Sequence, residues 1–113
     1  MDVSIRTVTS SSAFSDFPVT RETRTFSEDF LRATQRVGTA EEALNLGDLA
    51  SADFIIMSNK DATNFVLVYN ISGGTPFAKL RPGGAMVLPM FGTGLYVKAD
   101  TAECLIEYLA FQD

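Results

Sequence analysis

Carboxylates are the most numerous side chains in this sequence that could take part in acid–base chemistry. The chain has fourteen Asp and Glu residues, no histidine and one cysteine. Several of these carboxylates border short apolar runs, where paired groups could act as general acid and base. The candidates at such positions are Asp48, Asp53, Asp61, Asp100, Glu103 and Glu107. Their positions in turns and on strand faces are equally typical of solvated charges, so they indicate no catalytic site.

The residues required by other common reactions are missing. Without histidine the chain lacks the usual general base and the commonest metal ligand. One cysteine cannot build a zinc site, and the carboxylates do not have the spacing of a calcium loop. Gly92 and Gly94 lack the third glycine of a nucleotide-binding loop. We therefore predict that the protein is not an enzyme and uses no cofactor and no metal.

Length and charge limit the other classes of function. A chain of 113 residues forms one domain. Residues 1–37 carry five basic and five acidic groups, whereas residues 38–113 carry four basic and nine acidic groups and supply the whole net charge of −5. A negative body repels phosphate, so we expect no nucleic acid as a partner. No apolar run has the length of a membrane span, and the first residues lack an export pattern, so we also expect no membrane partner.

The apolar residues occur in short runs separated by turn signals about every ten residues. The runs are Phe54–Met57, Phe65–Ile71, Pro76–Leu80, Ala85–Met90, Leu95–Ala99 and Cys104–Phe111. Runs of this length, rich in Val, Ile, Phe and Tyr, are typical of antiparallel strands. They predict an all-β fold, a small antiparallel sandwich or barrel of jelly-roll type. An apolar content of 46% fits either a dense core or a surface that meets other subunits.

The predicted core takes two or three residues from three of these runs and one residue from two others. Its members are Phe54, Ile56, Phe65, Leu67, Tyr69, Leu80, Leu88, Ile106 and Tyr108. Leu44 and Leu46 are interpreted as further inward anchors, and Cys104 as a buried thiol. The second face of the last run has charged groups at one end and apolar groups at the other. That pattern predicts a strand that is central in its sheet or covered by a neighbour.

Upstream of Phe54 the pattern is less regular. Ser27–Val37 combines a helix-like start with strand-like alternation, so both a strand and a short helix are open from the residues alone. Thr39 and Glu42 have the spacing of a capping box, which favours a helical turn at Ala40–Ala43. Gly47–Asp48 is expected to turn the chain into the strand at Phe54.

Residues 1–26 are interpreted as an extended N-terminal arm or edge strand, and residues 27–113 as the sandwich domain. The arm has too few apolar groups to bury its phenylalanines within itself, and Pro18 disfavours a central strand position. We expect the arm to contact another subunit or the main shell protein of an assembly; the alternative, an extra edge strand on its own sandwich, stays open. The suspected intersubunit anchors are Phe14, Phe17, Val19 and Phe26.

Five segments follow one another in a distinctive order: Gly38–Glu42, Leu46–Asp48, Asn59–Asn64, Leu80–Gly83 and Tyr96–Thr101. Their order and spacing resemble those of small virion structural proteins of tailed bacteriophages, over roughly residues 35–113. The resemblance implies an all-β virion protein in many symmetric copies, and it favours a strand at Ser27–Val37. It implies as partners copies of the chain itself and the major capsid protein or a neighbouring virion protein.

Three classes of function are consistent with these features. A head decoration or cement protein, assembled in the host cytoplasm and located in the virion, is favoured over a neck or tail component because an acidic body suits an outer shell better than a DNA-lined channel. A sugar-binding receptor-recognition module is the second, although the chain has no Trp and only Tyr69, Tyr96 and Tyr108. A host regulatory or anti-defence protein is the third.

Overall fold

The structure, a computed structural model, describes residues 2–7, 20–25, 29–89 and 94–112. These residues form ten β-strands, and no helix occurs among them. The strands are β1 (Asp2–Thr7), β2 (Thr20–Thr25), β3 (Phe30–Val37), β4 (Glu42–Ala43), β5 (Phe54–Asn59), β6 (Val66–Tyr69), β7 (Ala78–Leu80), β8 (Ala85–Pro89), β9 (Tyr96–Ala99) and β10 (Cys104–Phe111). The all-β prediction is confirmed, and each of the six apolar runs overlaps one strand.

Eight of the strands form a sandwich of two four-stranded antiparallel sheets. The first sheet has the order β3-β10-β5-β8 and the second has the order β4-β9-β6-β7. Four of the six pairings join strands that are equally far from the middle of the body: β6 with β7, β5 with β8, β4 with β9 and β3 with β10. The other two, β5 with β10 and β6 with β9, connect these pairs within each sheet. This nested pairing of eight strands, distributed over two sheets, is the jelly-roll topology.

The core lies between the two sheets and takes residues from both. In β10 the inward residues alternate regularly, and Ile106 and Tyr108 are at most 1% exposed. From the second sheet Val66, Val68 and Val97 pack against them and are fully buried. β10 lies between β3 and β5, which confirms that the last strand is central in its sheet.

Five of the nine predicted core positions are buried, and the other four are only partly buried. Phe54, Tyr69, Leu80, Ile106 and Tyr108 are buried, as are the predicted Leu44 and Cys104, and Leu46 packs against the core. Ile56, Phe65, Leu67 and Leu88 are only half-buried, although Leu88 still packs against the core.

Two of these errors have the same physical cause. β5 and β6 carry apolar residues on both faces, so alternation alone does not show which face is inward. The residues that the two strands turn to the core are Ile55, Met57, Val66 and Val68. Ile56 lies on the outer side of its sheet, and Leu67 lies opposite Lys79 and Lys98.

The ambiguous segments before Phe54 are both strands. Phe30–Val37 is β3, so the alternative of a helix over these residues is wrong. The helical turn at Ala40–Ala43 is also wrong, because Glu42 and Ala43 pair with β9. The side chain of Glu42 accepts a hydrogen bond from Gln35 (2.9 Å) instead of capping a helix.

A group of polar side chains links the two sheets beside β3 and β4. The amide nitrogen of Gln35 also donates to the Ala43 carbonyl (3.1 Å), and its oxygen accepts from the Asn45 amide (2.9 Å). The Tyr108 hydroxyl donates to the Asn45 carbonyl, and burial raises the pKa of this tyrosine. These bonds satisfy polar groups at the edge of the core and hold β4 against the first sheet.

Two of the predicted turns have the expected glycine conformation. In the Arg81–Gly84 turn, Gly83 has φ of 73° and the Gly84 amide donates to the Arg81 carbonyl (2.8 Å). In the turn after β6, Gly73 has φ of 74° and the Gly74 amide donates to the Ile71 carbonyl (3.0 Å). Both match a turn with positive φ at its third residue, as in type II.

Candidate assembly surface

The carboxylates suggested by the sequence are spread over the surface instead of forming one site. Glu107 lies 3.7 Å from Arg32 and 3.9 Å from Lys60, and Glu103 lies 3.2 Å from Arg36. These are exposed ion pairs between strands or between a strand and a loop, which contribute little to stability.

The other three carboxylates of that set are in connections between strands. Asp48 lies in the turn at Gly47. The Asp53 amide donates to the Phe111 carbonyl (2.8 Å) and the Asp100 amide to the Phe65 carbonyl (3.2 Å). Among the residues that the structure describes, no three Asp, Glu or Cys side chains lie together in a way that could hold a metal ion.

Asp61 and Asn59 organise the connection from β5 to β6. The Asp61 carboxylate accepts hydrogen bonds from the amides of Asn64 (2.6 Å) and Thr63 (2.9 Å), which hold the pKa of this carboxyl below its ordinary 3.8. The fully buried Asn59 side chain donates to the carbonyls of Asn64 (2.9 Å) and Leu80 (3.1 Å). Both residues have a structural function, as the sequence indicated for this tight connection.

Cys104 is a buried thiol, as predicted. Its side chain is 1% exposed and lies 3.5 Å from the Ala102 carbonyl. Burial, and then the nearby charges of Asp61 and Asp100, raise the pKa of the thiol above its ordinary 9.0. A protonated and inaccessible thiol is a poor nucleophile, so this residue does not form a reactive site.

The outer face of the first sheet is unusual because its apolar residues form two adjacent rows across the strands. The first row, from β3 to β8, consists of Phe30, Phe111, Phe54 and Pro89. The second consists of Arg32, Leu109, Ile56 and Val87. An antiparallel sheet in a sandwich commonly turns polar residues outward, so these rows indicate a face that is meant to be covered.

The exposed and buried members of the two rows have different functions. Phe111 stacks with Phe30 at 6.4 Å between ring centroids and packs against Phe54 at 6.2 Å. Phe54 and Phe111 are buried, whereas Phe30 is 50% exposed and Val87 is 44% exposed. The two buried rings form a small second core, and the exposed pair at the sheet edges leaves apolar surface in contact with solvent.

A shallow depression lies on the same face beside the second row. It has a volume of about 70 Å³ and is lined by the side chains of Ile56, Ser58, Glu107 and Leu109 together with part of Tyr108. This is far below the roughly 300–1,000 Å³ of pockets that enclose small-molecule ligands. Its walls are mainly aliphatic, so it suits a single apolar side chain better than a metabolite.

A second exposed apolar feature is the loop from β6 to β7, residues 70–77. Ile71 is 65% exposed and Phe77 is 46% exposed, the two ends of a loop whose residues are all exposed. The Glu41 carboxylate holds the tip of this loop. It accepts hydrogen bonds from the Ser72 hydroxyl (2.8 Å) and the Gly73 amide (3.0 Å).

Several hydrogen bonds restrain this loop. The Glu41 bonds add to the turn at Gly73, so three independent contacts fix the backbone beside Ile71. A loop whose backbone is restrained in this way loses less conformational entropy on binding. No local sequence pattern indicates the Glu41 contact, because its partners lie 31 and 32 residues further along the chain.

The suspected anchors of the N-terminal arm, Phe14, Phe17, Val19 and Phe26, lie outside the described residues. The described parts of the arm, β1 and β2, pair with each other in antiparallel register from Asp2 opposite Thr25 to Thr7 opposite Thr20. The Thr25 hydroxyl donates to the Asp2 carboxylate (2.7 Å) in this small sheet. Neither strand is part of the two four-stranded sheets.

Comparison of the chain with protein-family models, with curated proteins and with solved structures finds no match. The described part of the chain also contains no helix with the length and apolar character needed to cross a membrane.

Proposed function

We propose that this protein is a non-enzymatic structural component of a tailed-phage particle, where it forms a symmetric homo-oligomer. Within that class we favour a head decoration or cement protein that stabilises the capsid. The observation that carries the assembly function is the apolar outer face of the first sheet, with Phe30 and Val87 half exposed at its two edges. The particle assignment is supported by the order of the turn segments between Gly38 and Thr101.

The charge of the body supports a position on the outside of the particle. The chain has a net charge of −5, supplied by residues 38–113. An acidic surface avoids DNA and is compatible with an outer shell. A neck or tail component is the alternative within the same class, and imaging of labelled particles distinguishes the two positions.

The sugar-binding alternative has weaker support. Carbohydrate sites use exposed aromatic side chains, and Tyr69 and Tyr108 are 7% and 1% exposed. Tyr96 is half-buried, so no tyrosine of the chain offers an open ring. Among the residues that the structure describes, the exposed phenylalanines, Phe30 and Phe77, lie at separate places and lack a hydroxyl to orient a sugar.

The direct test is the protein content of purified particles from the phage that encodes this chain. Quantitative mass spectrometry should find the protein in a copy number set by the particle's symmetry, and particles lacking it should lose DNA at a lower temperature. Absence of the protein from purified particles would refute the proposal.

The N-terminal arm has a test of its own. We expect a chain lacking residues 1–20 to fold with unchanged stability but to join particles less, because the arm contacts a neighbouring subunit. A matched variant with Phe14 and Phe17 replaced by Ser should have the same defect. Incorporation of the truncated protein at full copy number would refute the function of the arm but not that of the body.

A further inference from the structure

Two apolar features of the body are complementary in form and lie on different sheets. The first is Ile71, 65% exposed at the beginning of the loop that Glu41 holds. The second is the depression of about 70 Å³ between Ile56 and Leu109 on the outer face of the first sheet. A dry apolar cavity of roughly 150 Å³ accommodates a benzene molecule, so a depression of this size suits one aliphatic side chain.

We propose that Ile71 of one copy inserts into this depression on a second copy. The inference rests on the proposed function, since it names the contact by which the chain assembles with itself. A contact between two different surfaces of the same protein is heterologous, so each copy both inserts a side chain and receives one. Repetition of such a contact produces a closed ring or an open filament.

The charges around the two features favour this pairing. Residues 70–77 contain no charged side chain, and the charged group that holds them is the carboxylate of Glu41. The rim of the depression has two cations, Arg32 and Lys60, against the single carboxylate of Glu107. The Glu41 carboxylate at the base of the loop therefore faces a rim with a net positive charge. This attraction opposes the repulsion between copies that each carry a net negative charge.

The contact is small, so we expect it to be weak. An interface made mainly by one loop of eight residues belongs to the class below about 1,200 Å², which is typical of weak association. In a ring or on a shell, neighbouring contacts raise the effective concentration of each site to the order of millimolar. Weak association in solution and stable association in a particle are therefore both expected.

The experiment measures self-association of the full chain by analytical ultracentrifugation up to about 1 mM, the effective concentration within an assembly. Ile71→Ser removes the inserted side chain, and Ser58→Arg fills the depression with a long side chain. Ile71→Val is the matched control, because it keeps most of the apolar group. Each variant is first checked for an unchanged urea midpoint, which the exposure of Ile71 leads us to expect.

For the wild type and for Ile71→Val we expect species larger than a dimer in the ultracentrifuge. Ile71→Ser and Ser58→Arg should each raise the dissociation constant about tenfold or more, the effect of losing a central anchor. A mixture of these two variants should form 1:1 dimers and nothing larger, because only one intact contact remains per pair.

A monomeric wild type at about 1 mM, association of Ile71→Ser equal to that of the wild type, or a mixture that stays monomeric would each overturn the inference. None of these results bears on the copy number in particles. Conversely, the chain could be missing from purified particles while Ile71→Ser still weakens association in solution. That pair of results would refute the proposed function and support the contact.

Discussion

Ile55 and Ile56 are neighbours of the same type on β5 that turn to opposite sides of the first sheet. Ile55 is 0% exposed and belongs to the core between the sheets, whereas Ile56 is half-buried on the outer face. Replacing each by Ala removes the same three carbon atoms from the same strand. The pair of variants therefore compares the two faces with backbone and chemistry held constant.

The expected losses in the free energy of unfolding of Ile55→Ala and Ile56→Ala differ by about a factor of two or more. Three carbons at about 0.8 kcal/mol each give roughly 2.4 kcal/mol of transfer free energy for Ile55→Ala. The cavity left in the core adds to this, so the free energy of unfolding should fall by about 3–4 kcal/mol, within the range for such variants. Ile56→Ala loses roughly half of the transfer term, about 1.2 kcal/mol, and leaves no closed cavity because the site opens to solvent.

Urea unfolding followed by fluorescence of the tyrosines or by circular dichroism measures both losses. The dependence of the unfolding free energy on urea should be the same for all three proteins, so that the midpoint shifts report stability. Ile106→Ala, at a fully buried site of β10, is a third comparison and should match Ile55→Ala. Equal losses at Ile55 and Ile56, or a loss below about 0.5 kcal/mol at Ile55, would refute the assignment of the faces.

Three further outcomes are expected. Asn59→Ala should lower the free energy of unfolding by about 1–3 kcal/mol, because it leaves buried carbonyls without a donor. Asn70 is exposed, so the control variant Asn70→Ala should have a free energy of unfolding within about 0.5 kcal/mol of the wild type. The lowered pKa of Asp61 stabilises the fold above its ordinary value of 3.8 and ceases to do so as the pH falls through the lowered value. The stability difference between the wild type and Asp61→Asn should therefore shrink in that acidic range, and a difference that does not vary with pH would contradict the two amide bonds. Native Cys104 should resist an aromatic disulfide reagent at neutral pH and react only as fast as the protein unfolds, since its thiol is buried and its pKa is raised; immediate labelling would show an accessible thiol.

The features of the fold that depend on local signals could be predicted from the sequence. Strands β5 to β10 follow from apolar runs between turn residues, and the turns at Gly73 and Gly83 follow from the need for positive φ. The face of a strand could be predicted only where one face was polar. β5 and β6 are apolar on both faces, so contacts between the sheets decide which face of each strand turns to the core.

The candidate assembly surface could be predicted only in part. The last strand, Cys104–Phe111, already has a second face that changes from charged to apolar, which indicated a strand that is central in its sheet or covered by a neighbour. The rows across the sheet join residues from β3, β10, β5 and β8, and no local pattern brings these together. The Glu41 contact with Ser72 and Gly73 depends in the same way on the tertiary fold.

The nested pairing of the strands also determines the order in which a newly made chain can fold. β6 and β7 are joined by a short loop and can pair early, but β3 has to wait for β10, which follows it after six intervening strands. The amide of Gln112 then donates to the Asp29 carbonyl (3.1 Å), so the two ends of the body meet at the final step. Until β10 pairs with β3 and β5, the first sheet lacks one of its two central strands, and Phe54 and Ile55 remain uncovered. Completion of the fold therefore depends on a contact between strands far apart in the sequence, and the aggregation risk is highest before that contact forms.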